Sequence, residues 1–245
     1  HSRAGPRPRR PLRGGPVITL TWDAGEFSAA AWEATAGIRR RIDQLPLLTE
    51  LADGTLDVHR FVEYLVQDDF YLRGYTRALA MLATRAPTPE AAGFWAHSAS
   101  GAVAAEVEMH AGLMADPALA GVPRPPVASP TTRAYVTMLQ AMTAYERYEV
   151  GVAAVLPCYW VYADVGARLA RTASAVTDHP SGAWAAAYAD EAFQEETRHA
   201  IRLLDEAAAG VDEATREQML TAFVDATRYE ELFWARSYEG EAWAV

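Results

Sequence analysis

One cysteine, Cys158, stands directly after Pro157 in a long segment that otherwise reads as helix. A proline inside a helix removes one backbone hydrogen bond and crowds the carbonyl four residues earlier, so a bend is expected there. Residues after a bend sit near a fresh helix N-terminus, where unpaired N–H groups favour negative charge. A thiol so placed ionises more easily, and the thiolate is the nucleophile. The competing reading is a small, inert core thiol. Two acids join it by pattern. Asp68 falls in the gap between Leu65 and Leu72 on the stripe Phe61, Leu65, Leu72, Tyr75, Leu79, Leu82. Glu230 lies two turns after Phe223 on the stripe Phe223, Ala226, Phe233. Their neighbours Asp69 and Glu231 turn about 100° away on the helix and are expected to point elsewhere.

A carboxylate on an apolar stripe is costly to bury unless it is paired or hydrogen-bonded. Two such acids and a thiol on three helices suggest a polar pocket inside a bundle. Satisfaction of each by a Tyr or Arg across the core is the structural alternative. Tyr71 follows Asp68 by three residues and Tyr162 follows Cys158 by four, so each can reach the same spot as its partner. Phe70, Tyr71, Tyr135, Tyr159, Trp160, Tyr162, Tyr188, Phe233 and Trp234 supply aromatic rings. Most would be core; a few facing a cavity would stack on a flat heterocycle.

A metal site is the other chemistry to weigh. Glu106, Glu108 and His110 lie close together, as do Glu195, Glu196 and His199. Glu196 and His199 have the Glu-x-x-His spacing of di-iron bundles, but those need two copies and only one is present. His59, His97 and His179 lack ligand-like neighbours and read as surface residues.

The elements that must position these groups are helices. The helical pattern starts at Phe27, Pro46 interrupts it, and a short helix through Leu51 leads to a turn at Ala52–Thr55. Asp57 is a plausible N-cap for a helix to about Thr84, and a further helix covers about Glu90 to Met114. Five prolines in 115–130 predict a loop. Helices follow from near Thr131 to Tyr148, onward through Cys158 to about Ser174, over about 183–209, and from Asp212 to about Tyr238. No segment alternates with period two, and no hairpin signal joins strand-like runs. The fold class is therefore all-α: one domain, residues 17–245, of about seven or eight helices packed as a bundle. Residues 1–16 are Arg-, Pro- and Gly-rich and read as a disordered tail or the remnant of a tag.

Composition narrows the function. A net charge of −10 argues against a broad nucleic-acid or anionic-membrane surface, which needs basic patches. No apolar run reaches the about 18–20 residues of a bilayer span. A single cysteine cannot form an internal disulfide, which points to a reducing, cytoplasmic setting. The chain has no lysine, which excludes Schiff-base catalysis, lysine-anchored pyridoxal phosphate and a P-loop lysine.

From about Phe27 to Tyr238 the chain resembles the TenA family of thiaminase II, or aminopyrimidine aminohydrolase, proteins. The likeness is carried by Glu50–Leu56 (ELADGTL), Gln67–Leu72 (QDDFYL), Ser129–Tyr135 (SPTTRAY), Leu156–Trp160 (LPCYW) and Arg228–Trp234 (RYEELFW). The resemblance implies a haem-oxygenase-like helical bundle, usually a homotetramer, with no haem, metal or other cofactor. It implies that Cys158 is the nucleophile, Glu230 the acid/base at the leaving group, and Asp68 the group that grips the pyrimidine ring nitrogen and amino group. Tyr71, Tyr135, Tyr162, Tyr188 and Phe233 match the aromatic residues that orient ring and thiol. Asp69 and Phe70 depart from the aromatic pair usual after the aspartate, and His199 with its glutamates is atypical. Retention of the cysteine places the chain in the thiaminase-like branch.

The residue types suit that reaction. A 4-aminopyrimidine becomes electron-poor when a carboxylic acid engages its ring nitrogen, and a thiolate then adds to a ring carbon. Glu230 would protonate the departing amine, or assist thiazole loss from thiamin, and then activate water. The products would be hydroxymethylpyrimidine and ammonia, feeding thiamin salvage. A metal-dependent oxidase on the same bundle and a non-catalytic pyrimidine-binding protein are the rivals.

Overall fold

Ten α-helices and no strand make up the regular structure of the described residues in this computed structural model, which describes residues 22–180, 182 and 190–244. They are α1 (Glu26–Ala34), α2 (Ala36–Ile42), α3 (Pro46–Asp53), α4 (Val58–Arg85) and α5 (Pro89–Ala115), then α6 (Pro117–Ala120), α7 (Pro130–Tyr145), α8 (Tyr148–Ala173), α9 (Glu191–Ala209) and α10 (Glu213–Glu239). The expected tail over 1–16 lies outside the described residues.

Local chemistry sets most boundaries. Asp57, Thr88, Ser129, Asp190 and Asp212 each cap a helix start, their side chains accepting from backbone N–H groups of the first turn. Each such cap stabilises by about 1 kcal/mol. Pro46, Pro89, Pro117 and Pro130 occupy first-turn positions, where the missing N–H costs nothing. Gly54 and Gly240 end α3 and α10 in the left-handed region, at φ 79° and 69°.

Three boundaries differ from the sequence reading. The first expected helix is broken at Thr35, whose hydroxyl bonds back to the carbonyls of Ala31 and Trp32. The proline-rich stretch contains the single turn α6, capped by Asp116. The helix expected over 183–209 begins, in the described residues, at Glu191, because Asp190 caps a new start there; 183–189 lie outside the described residues.

α4, α7, α8 and α10 pack against one another around the centre, with α5 against α4 and α9 against α8. α8 is mostly apolar and mostly buried, its charged Asp164 and Arg168 pairing at one side. It is, contrary to the sequence reading, long and apolar enough to cross a membrane, but nearly nine-tenths of that stretch is buried against other helices. It continues unbroken through Pro157. Close approaches lock the group. A Cβ on Gly74 of α4 would lie 2.1 Å from Val136 Cγ1 of α7, and one on Gly151 of α8 would lie 3.2 Å from Thr143 Cα of α7. The N-terminal edge is tied by Asp205 of α9, which accepts from Gly25 N, Ser28 N and Ser28 Oγ.

Candidate active site

The four central helices deliver the polar groups inward. Asp68 and Tyr71 come from α4, Tyr135 from α7, Cys158 from α8, and Glu230 and Phe233 from α10. Asp68 and Glu230 are 3% and 1% exposed, so both acids are inside the bundle rather than on its faces. Both interact electrostatically with Cys158 and with each other. The sulfur and the two acids therefore occupy one region.

Burial dominates their ionisation. Loss of water pushes the Asp68 carboxyl up to about 7, with the neighbouring Asp69 adding to the shift. Burial pushes Glu230 up to about 8; the hydrogen bond from Tyr135 pulls it down and Asp68 raises it. That bond is 2.5 Å, Tyr135 Oη donating to Glu230 Oε1. Asp68 Oδ2 and Tyr71 Oη are buried without a hydrogen-bond partner. An unsatisfied buried polar atom costs about 1–3 kcal/mol. Two of them beside a thiol mark a place built to be completed by a ligand.

The cysteine departs from the sequence reading in two respects. Because α8 runs through Pro157 without a break, Cys158 lies deep in a helix and not at an N-terminus. Burial, then Glu230, pushes its thiol well above the ordinary range, and the nearby Tyr71 and Tyr75 hydroxyls oppose that shift. Cys158 nonetheless keeps some exposed surface. Tyr162, expected beside the thiol, has its hydroxyl 3.0 Å from that of Tyr64 and its ring against Trp234.

Aromatic rings wall the region. Tyr71 lies 5.3 Å from Tyr75, 5.2 Å from Tyr135 and 5.7 Å from Phe233, centroid to centroid. Tyr64 meets Phe233 edge-on, and Tyr229 stacks on Tyr135 at 5.2 Å. Tyr64 and Tyr75 were not singled out from sequence as polar groups. Tyr75 follows Tyr71 by four and Asp68 by seven, a spacing that places all three on one face. Tyr188 lies outside the described residues.

The other candidates disperse. Asp69, expected to point outward, is buried and pairs with Arg73 at 2.8 Å, and Arg73 also binds Glu106. Glu196 accepts from Ser98, Glu195 pairs with Arg198 and Arg202, and His199 packs on Phe94. His179 is not a plain surface residue: its Nε2 is 3.1 Å from Ala52 O. Among the described residues no three His, Cys, Asp or Glu side chains gather as metal ligands.

Comparison with known proteins adds an independent line. The model described as "TENA/THI-4/PQQC family" matches residues 36–240. The "Thiamine biosynthesis multifunctional protein ThiED" of Corynebacterium efficiens is 38% identical over 211 residues, which is 86% of this chain and 28% of that protein. The chain thus spans little more than a quarter of that relative's length. The "Aminopyrimidine aminohydrolase" of Bacillus subtilis is 29% identical over 201 residues, 81% of this chain and 84% of that protein. Among solved structures, "TenA homologue protein from P.horikoshii OT3" superposes with a TM-score of 0.77 at 21% identity, covering 88% of this chain and all of that one. The shared bundle is the haem-oxygenase-like one.

Proposed function

The chain belongs to the TENA/THI-4/PQQC family, and from that premise we propose that it is a thiamin-salvage hydrolase of the aminopyrimidine aminohydrolase type. Its substrate is 4-amino-5-aminomethyl-2-methylpyrimidine, and thiamin is a second substrate of the same site. The observation that carries the reading is the pairing of two inward acids, a thiol and an orphaned carboxyl oxygen inside one aromatic enclosure.

Asp68, raised to about 7, holds its proton over much of the neutral range and can donate it in a hydrogen bond to a ring nitrogen. That withdraws electrons from the ring. The Cys158 thiol adds across the ring C=N bond: the sulfur bonds the carbon, the S–H bond breaks, and a proton settles on the ring nitrogen that Asp68 engages. Glu230, raised to about 8, is protonated at neutral pH and gives its proton to the leaving amine, which departs as ammonia. As a carboxylate it then takes a proton from water, the hydroxide bonds to the methylene carbon that lost the amine, and the C–S bond breaks as the proton on the ring nitrogen returns to the sulfur. Tyr135 fixes the Glu230 carboxyl, while Tyr71 and Phe233 offer the ring a stacking wall. The proposal extends to the homotetramer; Val103 and Val107 on α5 are exposed and give a second copy apolar area to cover.

Incubation with the aminomethylpyrimidine and, separately, with thiamin tests this, with hydroxymethylpyrimidine and ammonia or thiazole as readout. Cys158→Ala and Glu230→Gln are expected to lose turnover, and turnover equal to the parent in both would remove these residues from the mechanism.

A further inference from the structure

A helix start leaves backbone donors without intrahelical partners, and those of α7 are satisfied from three directions. Pro130, in the first position, has no N–H. Thr132 N donates to the capping Ser129 Oγ at 3.2 Å, and Arg133 N donates to Ser129 O at 2.9 Å. The other two donors reach out of the helix. Ser129 N donates to Gln67 Oε1 of α4 at 2.9 Å, and Thr131 N donates to Glu241 Oε2 at 2.8 Å. Gln67 is 1% exposed, stands next to Asp68, and is held by Glu63, whose Oε1 accepts from its Nε2 at 3.0 Å. Glu241 follows Gly240, the left-handed residue that ends α10, and its own N–H bonds back to Arg236 O at 3.1 Å. Its backbone is thus fixed to α10 while its carboxylate holds α7, where the helix dipole favours a negative charge. Trp243 adds a second tie: its Nε1 donates to Ala128 O at 2.9 Å, and the Arg133 guanidinium lies 5.8 Å from its ring. The end of α10 is anchored in turn, Tyr238 Oη donating to Glu50 Oε1 at 2.7 Å and Arg60 stacking on the Tyr238 ring at 3.9 Å. Thr131 precedes Tyr135 by four residues, so the tethered turn and Tyr135 share one face of α7. Tyr135 Oη is the donor to Glu230 Oε1, and Glu230 is carried by α10.

We propose that residues 241–243 clamp the first turn of α7 to the end of α10 and so position the Tyr135 hydroxyl on Glu230, with Glu241 and Trp243 as positioning residues for the acid/base step. The proposal rests on the salvage reading for the step that Glu230 performs. Water at a surface helix start would satisfy the Thr131 N–H and the Ala128 carbonyl equally well. What water does not do is fix the distance between two helices. The clamp does, because Glu241 is bonded to α10 through its backbone and to α7 through its side chain. Gln67 fixes the same turn of α7 to α4, beside Asp68. The start of α7 is therefore tied to both helices that carry the acids. Glu241 and Trp243 touch no reacting atom and act through Tyr135.

The test compares the full chain with the double variant Glu241→Ala/Trp243→Ala in turnover of the aminomethylpyrimidine. The double variant is expected to lower kcat by about tenfold to a hundredfold with KM held, the effect of a small misplacement of a catalytic group. Glu241→Gln, which keeps an oxygen acceptor for Thr131 N, is expected to retain parent kcat. In a Tyr135→Phe background the clamp has nothing left to position, so the same double change should cost less than about twofold more. A second readout needs no turnover. The Glu230 carboxyl carbon, followed by NMR in protein labelled at glutamate and identified by its absence in Glu230→Gln, should titrate higher in the double variant, toward its midpoint in Tyr135→Phe. The titratable groups that act on Glu230 are Tyr135 of α7, Asp68 and Tyr71 of α4 and Cys158 of α8, and the double variant alters none of them. Parent-like kcat, a loss that multiplies with that of Tyr135→Phe, a Glu241→Gln loss as deep as the double variant's, or an unmoved Glu230 titration overturns the clamp. An inactive parent would sink the salvage reading instead, and the titration then decides: an upward move in the double variant supports the clamp, and an unmoved midpoint overturns it.

Discussion

Replacing Glu230 by glutamine should make the protein more stable, and more so at high pH. The carboxyl is 1% exposed and raised from 4.5 to about 8 in the folded chain. Below pH 4.5 it is protonated whether folded or unfolded, and its burial carries no ionisation cost. As pH rises the unfolded chain ionises while the folded one must hold its proton or bury a charge, so stability falls until the folded group itself titrates. For a single group shifted this far, that loss is about 1 kcal/mol at pH 5 and about 4 kcal/mol at pH 8. Glutamine has the same shape, still accepts the Tyr135 hydroxyl and does not titrate. The gain of Glu230→Gln over the parent should therefore grow by about 3 kcal/mol between pH 5 and pH 8. For a chain of this size that is about 6–12 °C in Tm. Thermal and urea unfolding of both proteins at the two pH values measure it. A gain that is the same at both, or a variant less stable than the parent at pH 8, would refute the placement of an ionisable group in a dry interior. Stability gained together with activity lost would locate a functional cost at this residue.

Tyr135→Phe deletes the hydrogen bond that favours the Glu230 carboxylate, so Glu230 should titrate higher; a bond to a charged group is worth about 1.5–3 kcal/mol, or about 1–2 pH units. The alkaline limb of the kcat profile should move up by that amount, and an unmoved limb would detach Glu230 from it. Gly74→Ala forces a Cβ against the stiff Val136 side chain, and the overpacking cost of about 1–3 kcal/mol should exceed the helix gain of about 0.5–1. A Tm equal to or above the parent's would contradict the close α4–α7 approach. Asp205→Ala removes three hydrogen bonds that hold residues 25–28 to α9 and should destabilise by about 2 kcal/mol in urea unfolding, with faster amide exchange confined to the start of α1.

Much of this molecule could be read along the chain. Apolar residues at three- and four-residue steps, the caps Asp57 and Asp212, and the absence of period-two segments determine an all-α bundle, because helical periodicity and capping are local properties. The stripes also marked Asp68 and Glu230 as inward, since a residue's azimuth on a helix follows from its position alone. Tyr75 was legible by the same spacing as Asp68 and Tyr71, but its aromatic ring reads as core until a partner for the hydroxyl is known.

What only the tertiary structure decided is where separate helices aim. Whether Pro157 would end the helix was decided only in the fold: α8 continues through it, leaving the thiol in an interior that raises its pKa. Asp69, facing away from the site, met Arg73 and stayed buried, which its azimuth could not reveal. Tyr162 found Tyr64, and Glu196 found Ser98, across distances of 98 residues each. The sequence carries each helix's face because that information is local; it does not carry the angles at which faces meet, because those are set by side-chain packing summed over the whole core.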